Sequence, residues 1–345
     1  MLKLTIQTHD GARQLQVRPG ERILRAALSE GIDLRYDCAT GTCGSCKVRL
    51  VAGRVEADWP EAPGARRCGA GEILSCQGAA LTDCTLAAPR LRPRQPGTRR
   101  PAAVNGVLRR CRPLAPEVVG FDVGLERPLE FAAGQFVLLE TPHLPGARAY
   151  SIAGSSPGAT DLSFVAKRKA GGKFTAWLFG ASGPVDGAPV TMFGPLGRAT
   201  YQPGERTALI CVAGGSGIGG MLSILRRAEE AGHLADARLF FGVRKRRDLF
   251  LLDELTALRS RHPDQLGITV ALSEEEPGPD LAAQYPALSF RAGTVDAVLG
   301  QRLRGPLAGA RAYLAGPRAM VDAAVRVLVQ QGRLPPHEIR YDRFD

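Results

Sequence analysis

The stretch Cys38-Ala-Thr-Gly-Thr-Cys43-Gly-Ser-Cys46 has the spacing C-x4-C-x2-C, and a fourth cysteine, Cys76, follows after 29 intervening residues. Three thiolates on one short loop can surround a metal centre if the backbone between them approaches it closely. The intervening glycines and Ser45 are small enough to permit that approach, with backbone N–H groups directed at the sulfur atoms. The pattern predicts a metal centre held by Cys38, Cys43, Cys46 and Cys76, around which the chain is organised.

Two kinds of metal centre use cysteines at such short spacing. A zinc site built from a C-x2-C pair normally has a second close pair. Here Cys76 has no such neighbour, because Cys68 and Cys84 each lie eight residues from it. Cysteines at C-x4-C-x2-C…C are typical of plant-type [2Fe–2S] ferredoxins. The spacing therefore favours an iron–sulfur cluster over zinc, and a cluster needs a source of electrons elsewhere in the chain.

Composition limits the class of protein further. A chain of 345 residues can form two or three domains, and none of its apolar runs approaches the roughly 18 residues of a membrane helix. The start, Met1–Gln7, alternates like a strand and lacks the apolar block of a signal peptide. We expect a cytoplasmic protein with free thiols outside the motif, and the sequence assigns no role to three of these. The three are Cys68, Cys84 and Cys111, while Cys211 lies in an apolar run and is predicted to be a core residue.

The net charge of +11 raises the possibility of nucleic-acid binding. Most of the excess lies in residues 91–200, which hold 14 basic and 7 acidic side chains. These charges neither follow one helix nor alternate with aromatic residues, as a nucleic-acid surface would require. We expect no nucleic-acid partner; the charge suits a phosphate-bearing cofactor or an acidic protein partner better.

Residues 1–91 show the element order of a small sheet crossed by one helix. This β-grasp arrangement would hold the cluster at an exposed edge, and over the whole segment the chain resembles plant-type ferredoxins. The predicted elements are hairpin strands at Leu2–Thr8 and Arg13–Arg18, a helix from about Glu21 to Gly31, a strand at Lys47–Val51 and a last strand near Leu81–Ala87.

Residues 92–102 are rich in proline and arginine and predict a linker. Residues 103–202 then hold several short strands separated by Gly and Pro, which favours a small antiparallel barrel. The predicted strands are Val104–Arg112, Glu117–Leu125, Gln135–Glu140, Ala149–Ala153, Asp161–Lys167 and Pro189–Phe193.

Three short motifs lie on this predicted barrel. The first, Arg148-Ala-Tyr150-Ser151, follows a predicted loop at 142–145 and offers a cation, an aromatic ring and a hydroxyl to a flavin nucleotide. The second, Gly171–Thr175, opens a helix through Leu178 and can present N–H groups to an anion. The third, Gly194–Gly197, predicts a turn that permits close backbone approach. Taken singly, each also fits an ordinary strand, a Thr cap or a plain turn.

Together, and in this order, the three motifs resemble those of the ferredoxin–NADP reductase superfamily, whose barrel binds FAD. The resemblance implies flavin-motif roles for Arg148, Tyr150 and Ser151. It places Val165 and Lys167 on the strand beside the ribityl chain and pyrophosphate. It assigns Gly172, Phe174 and Thr175 to the pyrophosphate-binding turn.

Residues 203–345 begin with a phosphate-binding pattern: the strand Thr207–Val212, a glycine-rich turn at 213–220 and a helix from Met221 to Glu230. The turn fits the dinucleotide fingerprint G-x-G-x-x-G. That fingerprint expects an acidic residue after the next strand, but Arg238–Val243 is followed by Arg244. A Rossmann dehydrogenase is therefore disfavoured. Further strands at Ile268–Ser273 and Ala312–Ala315 complete an alternating α/β pattern.

The same turn resembles the nicotinamide-nucleotide motif of the reductase superfamily, with Gly220 where proline is usual. The resemblance implies nucleotide contacts from Gly214, Gly215, Ser216 and Gly217. It also implies them from Gly316 and Pro317, which follow Ala315 where cysteine is usual. The chain's aromatic end resembles the family's tail, and Phe344 is expected either beside the flavin ring or as a hydrophobic clasp.

The choice between NADH and NADPH depends on charge. Arg244 begins a run of four basic residues that could bind a 2′-phosphate. Ser273, however, is followed by Glu274 and two further glutamates, which would repel a phosphate and accept hydrogen bonds from ribose hydroxyls. The sequence favours NADH, with NADPH as the alternative.

The predicted protein is multidomain, α+β and α/β: a β-grasp ferredoxin domain, an antiparallel β-barrel FAD domain and an α/β parallel-sheet nucleotide domain. This order resembles the reductase components of bacterial multicomponent oxygenases. The resemblance implies a monomeric oxidoreductase that passes electrons from NADH through FAD and a [2Fe–2S] cluster to a terminal oxygenase or an intermediate ferredoxin. The alternatives are a reductase of small molecules, as in deoxysugar biosynthesis, a supplier of a P450, and a cluster-bearing module without activity.

Overall fold

A computed structural model of the chain describes residues 1–88, 90–93, 99–154, 158–180, 186–202, 207–234, 236–303 and 305–344. Three main sheets follow one another along these residues, and each has a different topology. Part of the predicted linker, residues 94–98, and the predicted start of the last domain at residue 203 lie outside the described residues. Within the described ranges, none of the helices has the length and apolarity to cross a membrane.

The first sheet has the β-grasp arrangement predicted from the sequence. Its elements are β1 (Leu2–Thr8), β2 (Gly11–Val17), α1 (Ile23–Ser29), β3 (Lys47–Ala52), β4 (Val55–Ala57), β5 (Glu72–Leu74), β6 (Gly78–Ala80) and β7 (Cys84–Ala87). The strand order is β2-β1-β7-β3-β5, with β4 and β6 paired separately. The buried residues of α1, among them Ile23, Leu24 and Ala27, belong to the same apolar core as Leu4 and Ile6 of β1.

Two predicted boundaries in this segment are wrong. The helix begins at Ile23 and not near Glu21, because Glu21 closes a turn in which its carboxylate accepts the Arg18 N–H at 3.0 Å. The last strand begins at Cys84, since Leu81 is exposed and the Asp83 carboxylate in the intervening turn accepts the Lys3 N–H.

The second sheet is antiparallel throughout and curls into a barrel. It contains β8 (Ala102–Ala115), β9 (Val118–Leu129), β10 (Phe136–Thr141), β11 (Leu144–Ser151), β12 (Ala159–Lys167) and β13 (Pro189–Leu196), with α2 (Lys173–Leu178) between the last two strands. The order is β11-β10-β13-β8-β9-β12. The edge strands approach each other where the Ala153 N–H donates to the Ser163 carbonyl at 2.8 Å, so the sheet closes beside the flavin motif.

Two predicted loops in the barrel are shorter than the sequence indicated. The loop at 142–145 is a two-residue turn, because Leu144 already pairs with Thr141. The turn predicted at Gly194–Gly197 is wrong for its first three residues: β13 continues until Leu196 pairs with Phe136 of β10. Gly197, with φ of +93°, ends the strand.

The third sheet is parallel throughout and carries helices on both faces. Its elements are β14 (Ala208–Gly214), α3 (Ile218–Glu230), β15 (Ala237–Val243), α4 (Leu252–Arg261), β16 (Leu266–Leu272), α5 (Gly278–Gln284), β17 (Ser289–Ala292), α6 (Val295–Arg302), β18 (Ala310–Pro317), α7 (Arg318–Gln330) and β19 (Ile339–Phe344). The order β17-β16-β15-β14-β18-β19 places β14 at the point where the chain changes direction across the sheet. Apolar cores lie on both faces, as a parallel sheet requires.

The helix after the glycine-rich turn begins at Ile218 and not at the predicted Met221. Gly219 and Gly220 are therefore helical. A Cβ on Gly219 would lie 3.5 Å from the Ala153 Cβ, so the first turn of α3 packs directly against the barrel. A Cβ at Gly220 would likewise lie 3.4 Å from the Ser151 Cβ, an ordinary van der Waals contact.

Candidate functional site

The four predicted cluster ligands come together as two pairs of sulfur atoms. Cys46 Sγ lies 3.2 Å from Cys76 Sγ, and Cys38 forms a hydrogen bond with Cys43. The hydrogen bond between Cys38 and Cys43 lowers the pKa of the Cys38 thiol to about 4 and raises the pKa of Cys43. The bond between Cys46 and Cys76 lowers the pKa of Cys46 and raises the pKa of Cys76. The charge of Cys38 also raises the pKa values of Cys46 and Cys76, so the two pairs lie within electrostatic range of each other.

This pairing fits a binuclear cluster better than a single ion. A [2Fe–2S] cluster takes two thiolates on each iron, whereas a structural zinc ion takes four converging ligands. Among the described residues, no group of three or more Cys, His, Asp or Glu side chains converges as a site for one metal ion. The arrangement of Cys38 with Cys43, and of Cys46 with Cys76, therefore suits [2Fe–2S].

The cluster loop directs hydrogen-bond donors at its own sulfurs, as its composition predicted. The backbone N–H groups of Thr40 and Cys43 both point at Cys38 Sγ from 3.4 Å, and the Ser45 hydroxyl lies 3.0 Å from Cys43 Sγ. Gly41, with φ of +91°, gives the loop a curvature that other residues rarely adopt. Such donors stabilise thiolate charge and tune a bound cluster.

A segment that the sequence analysis missed covers this loop. The Gly64 N–H donates to the Gly41 carbonyl at 2.9 Å, and the Arg67 guanidinium donates to the Cys43 carbonyl. A Cβ on Gly64 would lie 2.5 Å from the Gly41 oxygen, so only glycine fits here. Nothing in the cysteine spacing points to Gly64 or Arg67, because their role comes from a contact between distant segments.

The predicted flavin motif occupies an aromatic corner of the barrel. The Tyr150 ring lies 5.5 Å from the Phe121 ring, edge to face, and 5.6 Å from the Phe174 ring. The Arg148 guanidinium lies over Phe174, 5.6 Å from its centroid. Burial raises the pKa of Tyr150, so its hydroxyl stays protonated at neutral pH. A half-buried tyrosine can pack against the ring of a flavin nucleotide. The adjacent arginine can pair with the phosphate groups of the same nucleotide.

The predicted pyrophosphate turn is held by Thr175. Its hydroxyl accepts the Lys169 N–H at 3.2 Å and donates to the Gly172 carbonyl at 3.0 Å. Thr175 lies inside α2, whose N-cap is Gly172 without a side-chain cap bond, so the Thr cap of the plainer interpretation is wrong. The same two bonds hold the glycine turn in shape at the start of α2.

The flavin motif and the nucleotide turn are in contact. A Cβ on Gly220 would lie 3.4 Å from the Ser151 Cβ, and a Cβ on Gly215 would lie 3.8 Å from the Lys167 Cδ. Val165 contributes to the same apolar core as α3. The structure therefore brings Ser151, Val165 and Lys167 to the surface against which the glycine-rich turn packs. The sequence contains no signal for this proximity.

The nucleotide turn lies at a crevice between the carboxyl ends of β14 and β18. The sheet order reverses here, and such switch points are where open parallel sheets bind ligands. Gly214 and Gly316 approach closely, since a Cβ on Gly316 would lie 3.1 Å from the Gly214 Cα. Gly215, Ser216 and Gly217 form a short turn that leads into α3, and the dipole at a helix N-terminus favours a phosphate group. Pro317 is exposed at the rim of the crevice.

Arg244 and the following acidic stretch also meet at this edge. The Glu274 N–H donates to the Arg244 carbonyl at 2.9 Å, and Ser273 and Glu274 are both exposed. Arg244 faces Asp248 at 3.7 Å, and Lys245 faces Glu274 at 3.9 Å. Carboxylates thus offset the positive charge that a 2′-phosphate would require.

The C-terminal residues form β19, the last strand of the parallel sheet. Phe344 pairs with Pro317 at the crevice and packs, half-buried, against the core of the nucleotide domain. This contact is the one expected of a clasp. Asp342, two residues earlier, faces Gly197 of the barrel, with 3.8 Å between its Oδ2 and a Cβ built there. Burial, assisted by the charge of Asp37, raises the pKa of Asp342 to about 7.

Three features together define a class of protein. They are a site with two pairs of sulfur atoms, a barrel corner with aromatic rings and a cation, and a phosphate-binding crevice on a parallel sheet. It is an oxidoreductase that holds an iron–sulfur cluster, a flavin nucleotide and a nicotinamide nucleotide in one chain.

Comparisons with known proteins agree with this class. A family described as "2Fe-2S iron-sulfur cluster binding domain" matches residues 7–81, and one described as "Oxidoreductase NAD-binding domain" matches residues 211–326. The ferredoxin–NAD(+) reductase component of the alkene monooxygenase system of Xanthobacter autotrophicus is 36% identical, over 98% of this chain and 100% of its own length. The reductase component of the naphthalene 1,2-dioxygenase/salicylate 5-hydroxylase systems of Ralstonia sp is 32% identical, over 96% of this chain and 95% of its own length. The solved structure of the ferredoxin reductase in carbazole 1,9a-dioxygenase superposes with a TM-score of 0.83 and 29% identity. The match covers 100% of this chain and 98% of that one.

The chain belongs to the family of ferredoxin–NAD(P)+ reductase components of multicomponent oxygenases. Members of this family combine a [2Fe–2S] cluster with FAD and a nicotinamide nucleotide, and the predicted fold and class of enzyme are confirmed.

Proposed function

We propose that this protein takes electrons from NADH and delivers them singly to a terminal oxygenase or its ferredoxin. Bound FAD supplies the conversion of a hydride into single electrons, and the [2Fe–2S] cluster supplies the exit to a protein acceptor. The chain's own residues bind and orient these groups, and they need no general base or covalent nucleophile. Gly214, Gly215, Ser216 and Gly217, with Gly316 and Pro317, hold the nicotinamide nucleotide. The FAD lies on Arg148, Tyr150, Ser151, Val165, Lys167, Gly172, Phe174 and Thr175.

One observation carries this proposal: the barrel contacts both the nucleotide turn and the segment that leads into the cluster loop. Ser151 lies against Gly220 of α3. The Tyr36 hydroxyl, two residues before Cys38, accepts the Gly197 N–H at 3.2 Å at the end of β13. Ser151 and Leu196 both pair with Phe136, so the two contacts lie close together on the barrel, which supports a route from nucleotide to flavin to cluster.

The basic run supports NADH as the donor rather than NADPH. Lys245 and Arg246 pair with Glu274 and Asp280, and Arg244 with Asp248. A 2′-phosphate would have to displace these carboxylates. Glu274→Arg should therefore raise the kcat/KM for NADPH by about tenfold, the effect of one added charge-assisted contact of roughly 1.4 kcal/mol. An unchanged ratio of NADPH to NADH activity would contradict the assignment of Glu274.

The acceptor is proposed to be an oxygenase component, because the relatives described above are named as reductases of oxygenase systems. Turnover of a small substrate in the absence of any protein acceptor would support the small-molecule alternative instead. We propose that the protein works as a monomer in the cytoplasm. The free thiols suit a reducing compartment.

Anaerobic titration of the purified protein with NADH tests the proposal, with visible absorbance and EPR as readouts. Flavin bleaching together with a rhombic [2Fe–2S] signal is the expected result. Bleaching without that signal, in protein shown to contain iron and sulfide, would refute the route from flavin to cluster.

A further inference from the structure

The ferredoxin segment and the barrel share one apolar core. Phe136 and Leu138 of β10, and Phe193 and Leu196 of β13, are buried together with residues of α1 and of the cluster loop. The Ser29 hydroxyl at the end of α1 also donates to the Pro101 carbonyl at 3.0 Å. The two segments are therefore packed against each other and not merely joined by a linker.

A two-pronged ion pair crosses this contact. Arg25 on α1 donates from both terminal nitrogens to the two carboxylate oxygens of Glu140 on β10, each at 2.7 Å. Its guanidinium also lies 5.5 Å from the centroid of the Phe193 ring. The side chains of Arg25 and Glu140 are only 20% and 36% exposed. A bidentate pair fixes both the distance and the angle between its elements, which a single hydrogen bond does not.

The carboxylate end of this pair is close to the flavin motif. Glu140 follows Leu139, which pairs with Arg148 of β11, and the charge of Glu140 acts on the Arg148 guanidinium. A shift of α1 relative to Glu140 would therefore be a shift relative to the strand that carries the flavin motif.

A second contact joins the cluster loop itself to the barrel. Tyr36 is 9% exposed, and its hydroxyl accepts the Gly197 N–H directly after β13. The Arg25 contact alone would leave α1 free to pivot on β10. With Tyr36 held at the end of β13, the segment that leads into Cys38 is fixed at two separated points.

We propose that Arg25 and Glu140 form a latch that docks the cluster loop on the flavin strand and thereby sets the rate of electron passage between the two. Both are positioning residues, since neither touches a predicted cofactor ligand of the cluster. The inference rests on the proposed function, because it concerns a step of the same route. It adds that the docked arrangement depends on this pair.

Anaerobic stopped-flow mixing with NADH tests the latch in the full-length protein. The variants are Arg25→Ala, Glu140→Ala and the double substitution. Flavin bleaching and NADH–ferricyanide turnover should remain within about twofold of wild type, while cluster reduction should slow by about tenfold, as expected for a displaced reacting pair. The double variant should be no slower than either single one, because the two residues act as a unit.

Arg22→Ala is the matched control. Arg22 pairs with Asp58 inside the ferredoxin segment, and their exposures of 22% and 41% are close to those of the latch. Wild-type cluster reduction is expected for this variant. Glu140→Gln keeps the side-chain volume, should slow cluster reduction in the same direction and serves if an alanine variant does not fold.

The latch proposal is overturned if the cluster is reduced at the wild-type rate in Glu140→Gln and in the alanine variants. It is also overturned if Arg22→Ala slows cluster reduction as much as they do. Failure of the proposed function would look different. In that case NADH would not reduce the cluster of the wild-type protein at all, whatever the variants do.

Discussion

Gly217→Ala is predicted to distort the nicotinamide crevice. Gly217 has φ of −59°, which suits alanine, so the effect is purely steric. The new Cβ would lie 2.1 Å from the Ala315 carbonyl oxygen and 2.6 Å from its carbon. To restore van der Waals separation, the turn and β18 must move apart by more than about 1 Å. We expect a stability loss of about 1–3 kcal/mol, typical of overpacking.

The larger effect should be on reduction by NADH. A displacement of about 1 Å at a reacting site can lower a rate by about a hundredfold. Stopped-flow bleaching of the flavin across a range of NADH concentrations separates weaker binding from a slower step. Dithionite should still reduce flavin and cluster fully, because it donates electrons without binding in the nicotinamide crevice.

Gly219→Ala provides the opposite case two residues away. A Cβ there meets the Ala153 Cβ at an ordinary 3.5 Å, and alanine favours a helix over glycine by up to about 1 kcal/mol. This variant should be as active as wild type and equally or more stable. A normal rate of flavin reduction by NADH in Gly217→Ala, or an equal loss of that rate in Gly219→Ala, would refute the steric reasoning.

Three further predictions follow from the other parts of the site. Cys43→Ser should abolish electron delivery to one-electron protein acceptors such as cytochrome c while NADH–ferricyanide turnover survives; loss of both, in a folded variant that retains FAD, would contradict the proposed route. Thr175→Val removes both hydrogen bonds of the glycine turn and should weaken FAD binding by about tenfold, measured by flavin release on dilution. The folded pKa of Asp342, about 7, lies above the ordinary value of 3.8 for an aspartate, so its contribution to stability is full below about pH 4 and is lost as the pH rises through 7. Asp342→Asn should therefore flatten the fall in unfolding free energy between these two pH values, by on the order of 4 kcal/mol, as measured by urea titrations at both pH limits.

The sequence by itself determined the chemistry of the cluster site and the order of the domains. The spacing of Cys38, Cys43, Cys46 and Cys76 is local chemistry, because a cluster constrains its ligand loop directly. Alternating and periodic apolar residues likewise predicted the three sheets. The misplaced boundaries, such as the start of α1 after Glu21 and the extension of β13 to Leu196, reflect side-chain turns and strand pairing that local patterns do not encode.

Only the tertiary structure decided how the sites meet. The division of the cysteines into two pairs, the packing of Gly220 on Ser151 and the bond from Arg25 to Glu140 all join residues that are distant in sequence. Position in the sequence carries no information about such contacts, because they arise when apolar faces of separate sheets are buried together. The sequence therefore predicted which groups this protein binds, and packing decided how those groups are placed relative to one another.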